Sequence, residues 1–427
     1  MEKELISMIE RVNYWGSSPQ NLGFTRQAYL DKLNGLMHAN LLKVLVGQRR
    51  SGKSVILKQF IDTLLKQGIA AHNIFYLNFE LHGLSSINNT QMLSDVIQWF
   101  FTSHKPTRTV YLFFDEIQEV ESWERVINSY LANDSTDAQI FLTGSNAHLL
   151  STELSTYVTG RYVEIPVFPF SFREYTHYLN HEQDKINLID FIDSSGIPEL
   201  FRLNEESQKV AYINALKDSI IMNDIVKRFQ IKNPKLLLLL LDFAIDNIGH
   251  LFSFNAIVKK LKGLGHQVNV TTVSNYMHYL EKTFLIHAIP RYDVRGKKLL
   301  EGERKYYLND LGFYNYIRSS FDNDINRRLE NYVYLELLHA GYKVYVGNIY
   351  DLEIDFVAQK NQQILYIQVT YLLHSDDVVA REYGNLERIR DSWPKYVVSL
   401  DDVKFPPRQG IQHIPAWQLT ELLANQA

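Results

Sequence analysis

The 427-residue sequence contains no cysteine. Disulfides, thiolate nucleophiles and cysteine metal sites are therefore excluded, and nothing points to an oxidising compartment. Long apolar runs are missing too. The greasiest stretch, Leu236 to Leu241, stops at Asp242, well short of the roughly 20 residues that a membrane-spanning helix needs. Met1-Glu2-Lys3-Glu4-Leu5 lacks the apolar centre of a signal peptide, so a cytoplasmic location without a membrane partner is expected. No single sign of charge dominates. A net charge of -4 argues against a surface that coats nucleic acid nonspecifically and leaves room only for a local basic face. The 46% hydrophobic and 22% charged residues describe folded domains, and the chain is too long for one core of ordinary size.

Gly47-Gln48-Arg49-Arg50-Ser51-Gly52-Lys53-Ser54 fits the phosphate-loop pattern G-x-x-x-x-G-K-[ST]. It follows a strand-like run, Leu41, Leu42, Val44, Leu45 and Val46, and precedes a helical pattern that starts at Val55. In that context successive backbone amides and a helix N-terminus surround the phosphates of ATP. The lysine reaches the β- and γ-phosphates, and the serine hydroxyl ligates Mg²⁺. Gly47 to Val55 are the expected nucleotide-binding residues, with Ser54 on the metal. A second strand pattern, Thr109 to Phe114, runs directly into Asp115-Glu116. Ligand-binding residues sit at the carboxyl edge of a parallel sheet. Asp115 is therefore expected to hold Mg²⁺, and Glu116 to orient or deprotonate the attacking water. Asn73 to Glu80 is a further strand ending in an acid. Gln139 to Thr143 is another, and it ends in Gly144-Ser145-Asn146. Ser145 and Asn146 are candidates for sensing the γ-phosphate or positioning water, with Thr143 behind them.

Residues 176 to about 245 read as helices, and Ser195-Gly196-Ile197-Pro198-Glu199 is a turn that opens one of them. Asn255 to Leu261, a break at Gly263-Leu264-Gly265, and Thr271 to Leu280 form a helix-turn-helix pattern. Two strand-like runs follow, Leu285 to Ile289 and Lys305 to Leu308, with Arg291, Arg295, Lys297, Lys298 and Arg304 in the stretch between and beside them. The combination predicts a winged helix that puts Asn275 or His278 toward the bases of duplex DNA and the wing lysines on phosphates. Subunit packing is the alternative use. Beyond it, a helix pattern holding Glu330, a strand bearing Asp355 and the strand Ile364 to Thr370 resemble the restriction-endonuclease-like nuclease fold. That chemistry uses two acids and a lysine. Gln368-Val369-Thr370 stands where an acid-x-lysine is usual, so the domain is read as degenerate.

Taken in order, Phe113-Phe114-Asp115-Glu116-Ile117-Gln118, Thr143-Gly144-Ser145-Asn146, Thr159-Gly160-Arg161-Tyr162 and Pro169-Phe170-Ser171-Phe172-Arg173-Glu174-Tyr175 are similar to the prokaryotic AAA-type ATPases that carry a C-terminal domain of unknown function numbered 4143. The similarity covers nearly the whole chain. It implies that Asp115-Glu116 is the Walker B pair, that Ser145-Asn146 lies in the sensor 1 region, and that Arg161 is a finger or sensor arginine. It also implies a small helical lid packed against the nucleotide. An arginine that meets transition-state charge, in cis or in trans, is what phosphoryl transfer needs.

The expected fold is therefore α/β. A P-loop AAA-like parallel sheet occupies 1–175, a helical lid 176–245, a winged helix 246–318 and a degenerate restriction-endonuclease-like domain 319–427. The expected function is an Mg²⁺-dependent ATPase that cleaves the β–γ phosphoanhydride to drive or gate conformational change. Duplex DNA, another protein and a second copy of the chain are the partners this leaves open. The alternatives are a nucleotide-gated interaction protein with slow turnover and, third, an ATP-stimulated nuclease.

Overall fold

Apolar strands alternating with helices in the first part of the chain build a parallel sheet. The computed structural model describes residues 2–16, 22–132, 137–145, 160–318 and 324–426, and the chain divides into two units, Met1–Val167 and Phe168–Ala427. In the first unit, β1 (Leu42–Val46), β2 (Ile74–Asn78), β3 (Val110–Asp115), β4 (Ala138–Gly144) and β5 (Tyr162–Pro166) lie in the order β2-β3-β4-β1-β5. All four pairings are parallel. Every residue of β1, β3 and β4 is buried, as the interior strands of a parallel sheet must be. The core stacks Phe113 on Phe141 at 4.6 Å, and the Lys53–Lys66 helix sets Phe60 against both. Lys43 is fully buried within β1. Its Nζ donates to the Ala39 carbonyl at 2.7 Å and to Gln139 Oε1, and burial pulls its pKa down to about 8.

The outer edge of β2 is closed by side chains rather than by another strand. After the Lys3–Val12 helix, the Asn13 amide donates to the Tyr76 carbonyl at 3.0 Å and accepts from the Tyr76 N–H at 2.8 Å. The Trp15 indole donates to the Ile74 carbonyl at 2.9 Å. Two alternate residues of an edge strand thus find the partners that a neighbouring strand would have supplied.

The second unit has one eight-stranded mixed sheet. Its strands are β6 (Leu251–Phe252), β7 (Ile286–Asp293), β8 (Lys298–Leu308), β9 (Lys343–Ile349), β10 (Leu352–Lys360), β11 (Gln363–Val369), β12 (Lys395–Ser399) and β13 (Ile411–Pro415), in the order β13-β12-β11-β10-β9-β7-β8-β6. The architecture expected here is corrected. The β7–β8 hairpin is no projecting wing, because β7 pairs with β9 through Arg291–Asp293 and Val346–Asn348 and so lies inside the sheet. For the same reason β9 to β13 are not a separate restriction-endonuclease-like body. They continue the sheet begun by β6 to β8. The helices Lys185–Ile192, Glu206–Ser219 and Pro234–Asp246, within the 176–245 segment expected as a lid, contribute Leu188, Ile213 and Leu240 to the core that those strands share, and the Phe172–Leu179 helix adds Phe172.

Two buried carboxylates pin the first residues of this unit. The Phe172 N–H donates to Glu336 Oε1 at 2.9 Å, and the Phe170 N–H donates to the Gly196 carbonyl at 2.7 Å. Asp310 accepts from the Gly196 N–H at 2.7 Å, the Gly312 N–H at 2.7 Å and the Ser195 hydroxyl at 2.5 Å. Burial nevertheless outweighs these bonds and raises the Asp310 carboxyl to about 6. A carboxyl whose folded pKa exceeds its unfolded one binds more protons in the folded state across that interval, so stability falls as pH rises through it. Urea unfolding followed between pH 4.5 and 7.5 is therefore expected to show wild type losing about 2 kcal/mol relative to Asp310→Asn. Parallel pH profiles for the two proteins would contradict this account.

Candidate functional site

The turn between β1 and the Lys53–Lys66 helix gathers Gly47, Gln48, Arg49, Arg50, Ser51, Gly52, Lys53, Ser54 and Val55 at the carboxyl edge of the first sheet. Its glycines are required by space and by backbone shape. A Cβ at Gly47 would lie 2.1 Å from the Val167 carbonyl oxygen, and Gly52 has φ +95°. The Lys53 ammonium donates to the carbonyls of Gly47 at 2.9 Å and Gln48 at 3.0 Å, and lies 3.7 Å from Glu116 Oε1. Ser51 Oγ is buried with no hydrogen-bond partner among the described residues. Arg26, itself buried, donates to the Ser51 carbonyl at 2.9 Å and braces the loop from outside. Arg49 pairs with Glu80 at 2.5 Å.

Asp115 ends β3 with its side chain fully buried. Oδ1 accepts from Ser54 Oγ at 2.9 Å and Thr143 Oγ1 at 2.6 Å. Oδ2 accepts from the Tyr76 hydroxyl at 2.9 Å and Asn78 Nδ2 at 3.2 Å. Burial and then the neighbouring Glu116 charge push the Asp115 carboxyl above the usual aspartate range, against these bonds. Burial followed by the Asp115 charge also keeps the Tyr76 phenol protonated, well above its ordinary pKa.

Glu116 has φ +55°, which turns the chain sharply after β3. Its N–H donates to Thr143 Oγ1 at 2.8 Å, and Oε2 accepts from Gln118 Nε2. Burial would raise its pKa, but Lys53, Gln118, Arg49 and Ser145 outweigh it and leave the carboxyl below the usual glutamate value. Ser145 Oγ lies 3.3 Å from Gln118 Nε2. Asn146 lies outside the described residues.

Arg161 is not with this group. It precedes β5, and Tyr162 pairs with Leu42 at the start of β1. It therefore lies at the opposite edge of the sheet, about a strand's length or roughly 16 Å from the loop. There it is exposed, and it donates at 3.4 Å to the Leu131 carbonyl at the end of the Trp123–Leu131 helix.

Glu330, Asp355 and Gln368 do come together, in the second unit. Between them sits the Lys305 ammonium, 2.7 Å from Glu330, 2.7 Å from Glu353 and 3.7 Å from Asp355. Gln368 Oε1 accepts from the Asp355 N–H at 3.4 Å. Burial would lower the Lys305 pKa, but the three carboxylates outweigh it and raise it. A lysine of the chain thus occupies the space a cation would take. Among the described residues no group of three or more His, Asp or Glu side chains is arranged to hold a metal ion, and no helix is long and apolar enough to cross a membrane.

The sequence reading missed Arg26, Tyr76, Asn78 and Gln118 at the first site. The i, i+2 spacing of Tyr76 and Asn78 on a strand carried a faint signal for those two, and Gln118 stood out only by standing two residues beyond Glu116. Nothing local marked Arg26.

Residues 39–176 match the AAA domain family. A chain with that domain and this phosphate loop is an ATPase of the AAA class: it binds ATP and hydrolyses it to drive conformational change. It is 36% identical over 380 residues to an uncharacterized protein of Haemophilus influenzae, covering 88% of this chain and 93% of that one, and it belongs to the same family. It is 29% identical over 351 residues to the uncharacterized protein MJ1544 of Methanocaldococcus jannaschii, covering 78% of this chain and 76% of that one. Among solved structures it is similar to the Walker-type ATPase PABY2304 of Pyrococcus abyssi, with 17% identity, 69% of this chain and 96% of that chain covered, and a TM-score of 0.47.

Residues 187–324 match a different domain of unknown function, numbered 8612. This corrects the affiliation with domain 4143 and overturns the winged-helix and restriction-endonuclease-like assignments. The motifs behind that affiliation lie between Phe113 and Tyr175, wholly inside the AAA match. They therefore carry no information about the type of domain on its C-terminal side.

Thr143 is the test of this geometry, since one hydroxyl serves both acids. Thr143→Val is expected to cost about 1–3 kcal/mol by leaving the Glu116 N–H and one Asp115 lone pair unmatched. Thr143→Ser should recover most of the loss in a chemical-denaturation measurement.

Proposed function

We propose that Lys53 contacts the β- and γ-phosphates of ATP, that Ser54 and Asp115 hold Mg²⁺, and that Glu116 takes a proton from the attacking water. The observation that carries this reading is the convergence of all four side chains at one sheet edge, with Lys53 3.7 Å from Glu116 and Ser54 2.9 Å from Asp115. The donor set suits the ion, since Mg²⁺ is usually bound by one or two protein oxygens together with phosphates and water. When bound, Mg²⁺ supplies charge neutralisation at the phosphates. The Ser51 hydroxyl, without a hydrogen-bond partner among the described residues, is available to a phosphate oxygen, and the loop leads into a helix N-terminus, which favours phosphate. Among the described residues Lys53 bonds to two loop carbonyls and, at longer range, to Glu116, so phosphate oxygens can replace the carbonyls without leaving a buried charge unpaired. Ser145, through its tie to Gln118, and Asn146 beside it in sequence would sense the γ-phosphate.

Arg161 supports a homo-oligomer. An exposed arginine a strand's length from its own loop cannot serve that loop, but it can serve the site of a second copy. The output partner is duplex DNA in this reading, gripped by the exposed Lys259, Lys260 and Lys262 at the end of the Phe254–Gly263 helix. Asn275 and His278 are exposed on the Val270–Lys282 helix that follows. His278 is held below its ordinary pKa by burial and then by Lys282 and Arg304, which marks locally positive surroundings. One observation favours a protein partner instead: Leu264 is 68% exposed in the turn between the same helices.

Steady-state ATP hydrolysis is expected to be lost in Lys53→Ala and in Glu116→Gln, while Glu116→Gln still binds ATP. Mixing Lys53→Ala with Arg161→Ala should restore turnover if Arg161 acts in trans, because mixed assemblies contain some intact sites. No restoration would remove the oligomer from the reading. Stimulation by duplex DNA that disappears when Lys259, Lys260 and Lys262 are replaced by alanine supports DNA. Indifference to DNA redirects the output to a protein.

A further inference from the structure

A hydrolytic site must hold its water as well as activate it. Glu116 can accept one proton of that water, but a single hydrogen bond leaves the molecule free to rotate, and the attacking lone pair must point at phosphorus. A second acceptor is needed, close to Glu116 and shielded from bulk solvent.

Gln118 meets those conditions. It lies in the short turn Ile117–Glu119, which begins directly after the left-handed Glu116. Its Nε2 donates to Glu116 Oε2 and reaches Ser145 Oγ at 3.3 Å. An amide that turns its nitrogen toward a carboxylate must turn its oxygen away, since the reverse orientation would set oxygen against oxygen. That oxygen, Gln118 Oε1, is buried and has no hydrogen-bond partner among the described residues. A buried acceptor left unmatched is costly, and an O–H of a water held by the neighbouring Glu116 would supply the missing donor. Ser145 fixes the same amide from the end of β4, where the γ-phosphate would be read.

We propose that Gln118 is the second water-positioning residue of this ATPase, an inference that rests on the assignment of Glu116 above. The water oxygen attacks the γ-phosphorus, and the bond from that phosphorus to the β-bridging oxygen breaks. The bridging oxygen leaves with its electron pair on ADP. One water proton passes to Glu116, while the other O–H, held by Gln118 Oε1, stays with the inorganic phosphate. Nε2 meanwhile keeps the Glu116 carboxylate turned toward the water. No other co-reactant is required.

The experiment compares wild type, Gln118→Met, Gln118→Ala and Glu116→Gln in steady-state ATP hydrolysis, ATP binding and thermal unfolding. Met fills the volume of Gln without a strong acceptor or donor. The expected result is a fall in kcat of roughly a hundredfold for both Gln118 variants. KM for ATP should stay within about threefold, as befits a group that acts on the transition state. Gln118→Met also removes the Nε2 donor to the buried Glu116 carboxylate, so its Tm should fall, and kcat is read at a temperature where every variant remains folded. A kcat within about twofold of wild type, or a loss carried by KM, overturns the proposal and leaves the role of Glu116 standing. Undiminished turnover in Glu116→Gln overturns the assignment itself, and this inference with it.

Discussion

The Asp115 carboxylate is the interaction on which the first unit depends. Its four donors come from two other strands and a helix: Tyr76 and Asn78 from β2, Thr143 from β4, and Ser54 from the helix after the loop. A fully buried charge of this kind is tolerated only when its lone pairs are occupied. Satisfying it therefore fixes the spacing of β2, β3 and β4 at the edge where the phosphate loop lies. Thr143 extends the arrangement by accepting from the Glu116 N–H, so the two acids are oriented through one hydroxyl. The fold is thus tightly specified at the edge that carries the phosphate loop.

The second unit meets the same electrostatic problem differently. Around Asp115 every donor is neutral, and the Ser54 hydroxyl is a partner that can be exchanged for a stronger one. Around Asp355, Glu330 and Glu353 the partner is a buried ammonium, that of Lys305. An ion pair desolvated to that degree is costly to open. The first arrangement rests on neutral donors alone, and the second is saturated by a charge from within the chain.

Which of these features could be read from sequence depends on the distance between partners. The phosphate loop and Asp115-Glu116 were legible because each is a short pattern at the end of an apolar run, and its meaning needs no knowledge of strand order. Arg161 was legible as a residue but not as a place, since its position depends on Tyr162–Pro166 forming a strand parallel to β1. The β7–β8 hairpin was seen, yet its membership in the larger sheet rests on three residues of β9 more than fifty positions away. Lys305, Tyr76 and Arg26 carry no local signature strong enough to place them. Each acts across the fold, on carboxylates or carbonyls that no periodicity links to it.

The strand order β2-β3-β4-β1-β5 also governs how the sheet is born on the ribosome. β1 emerges first, but its neighbours are β4 and β5, which are synthesised about a hundred residues later. Until then the strand has no native mate, and its apolar side chains would be free to join another nascent chain. Lys43 stands within that run. Solvated and fully charged before burial pulls its pKa down to about 8, it is a gatekeeper that opposes self-association. Once β4 arrives, Gln139 takes up the ammonium, and the charge that guarded the unfinished chain becomes an internal contact of the finished one.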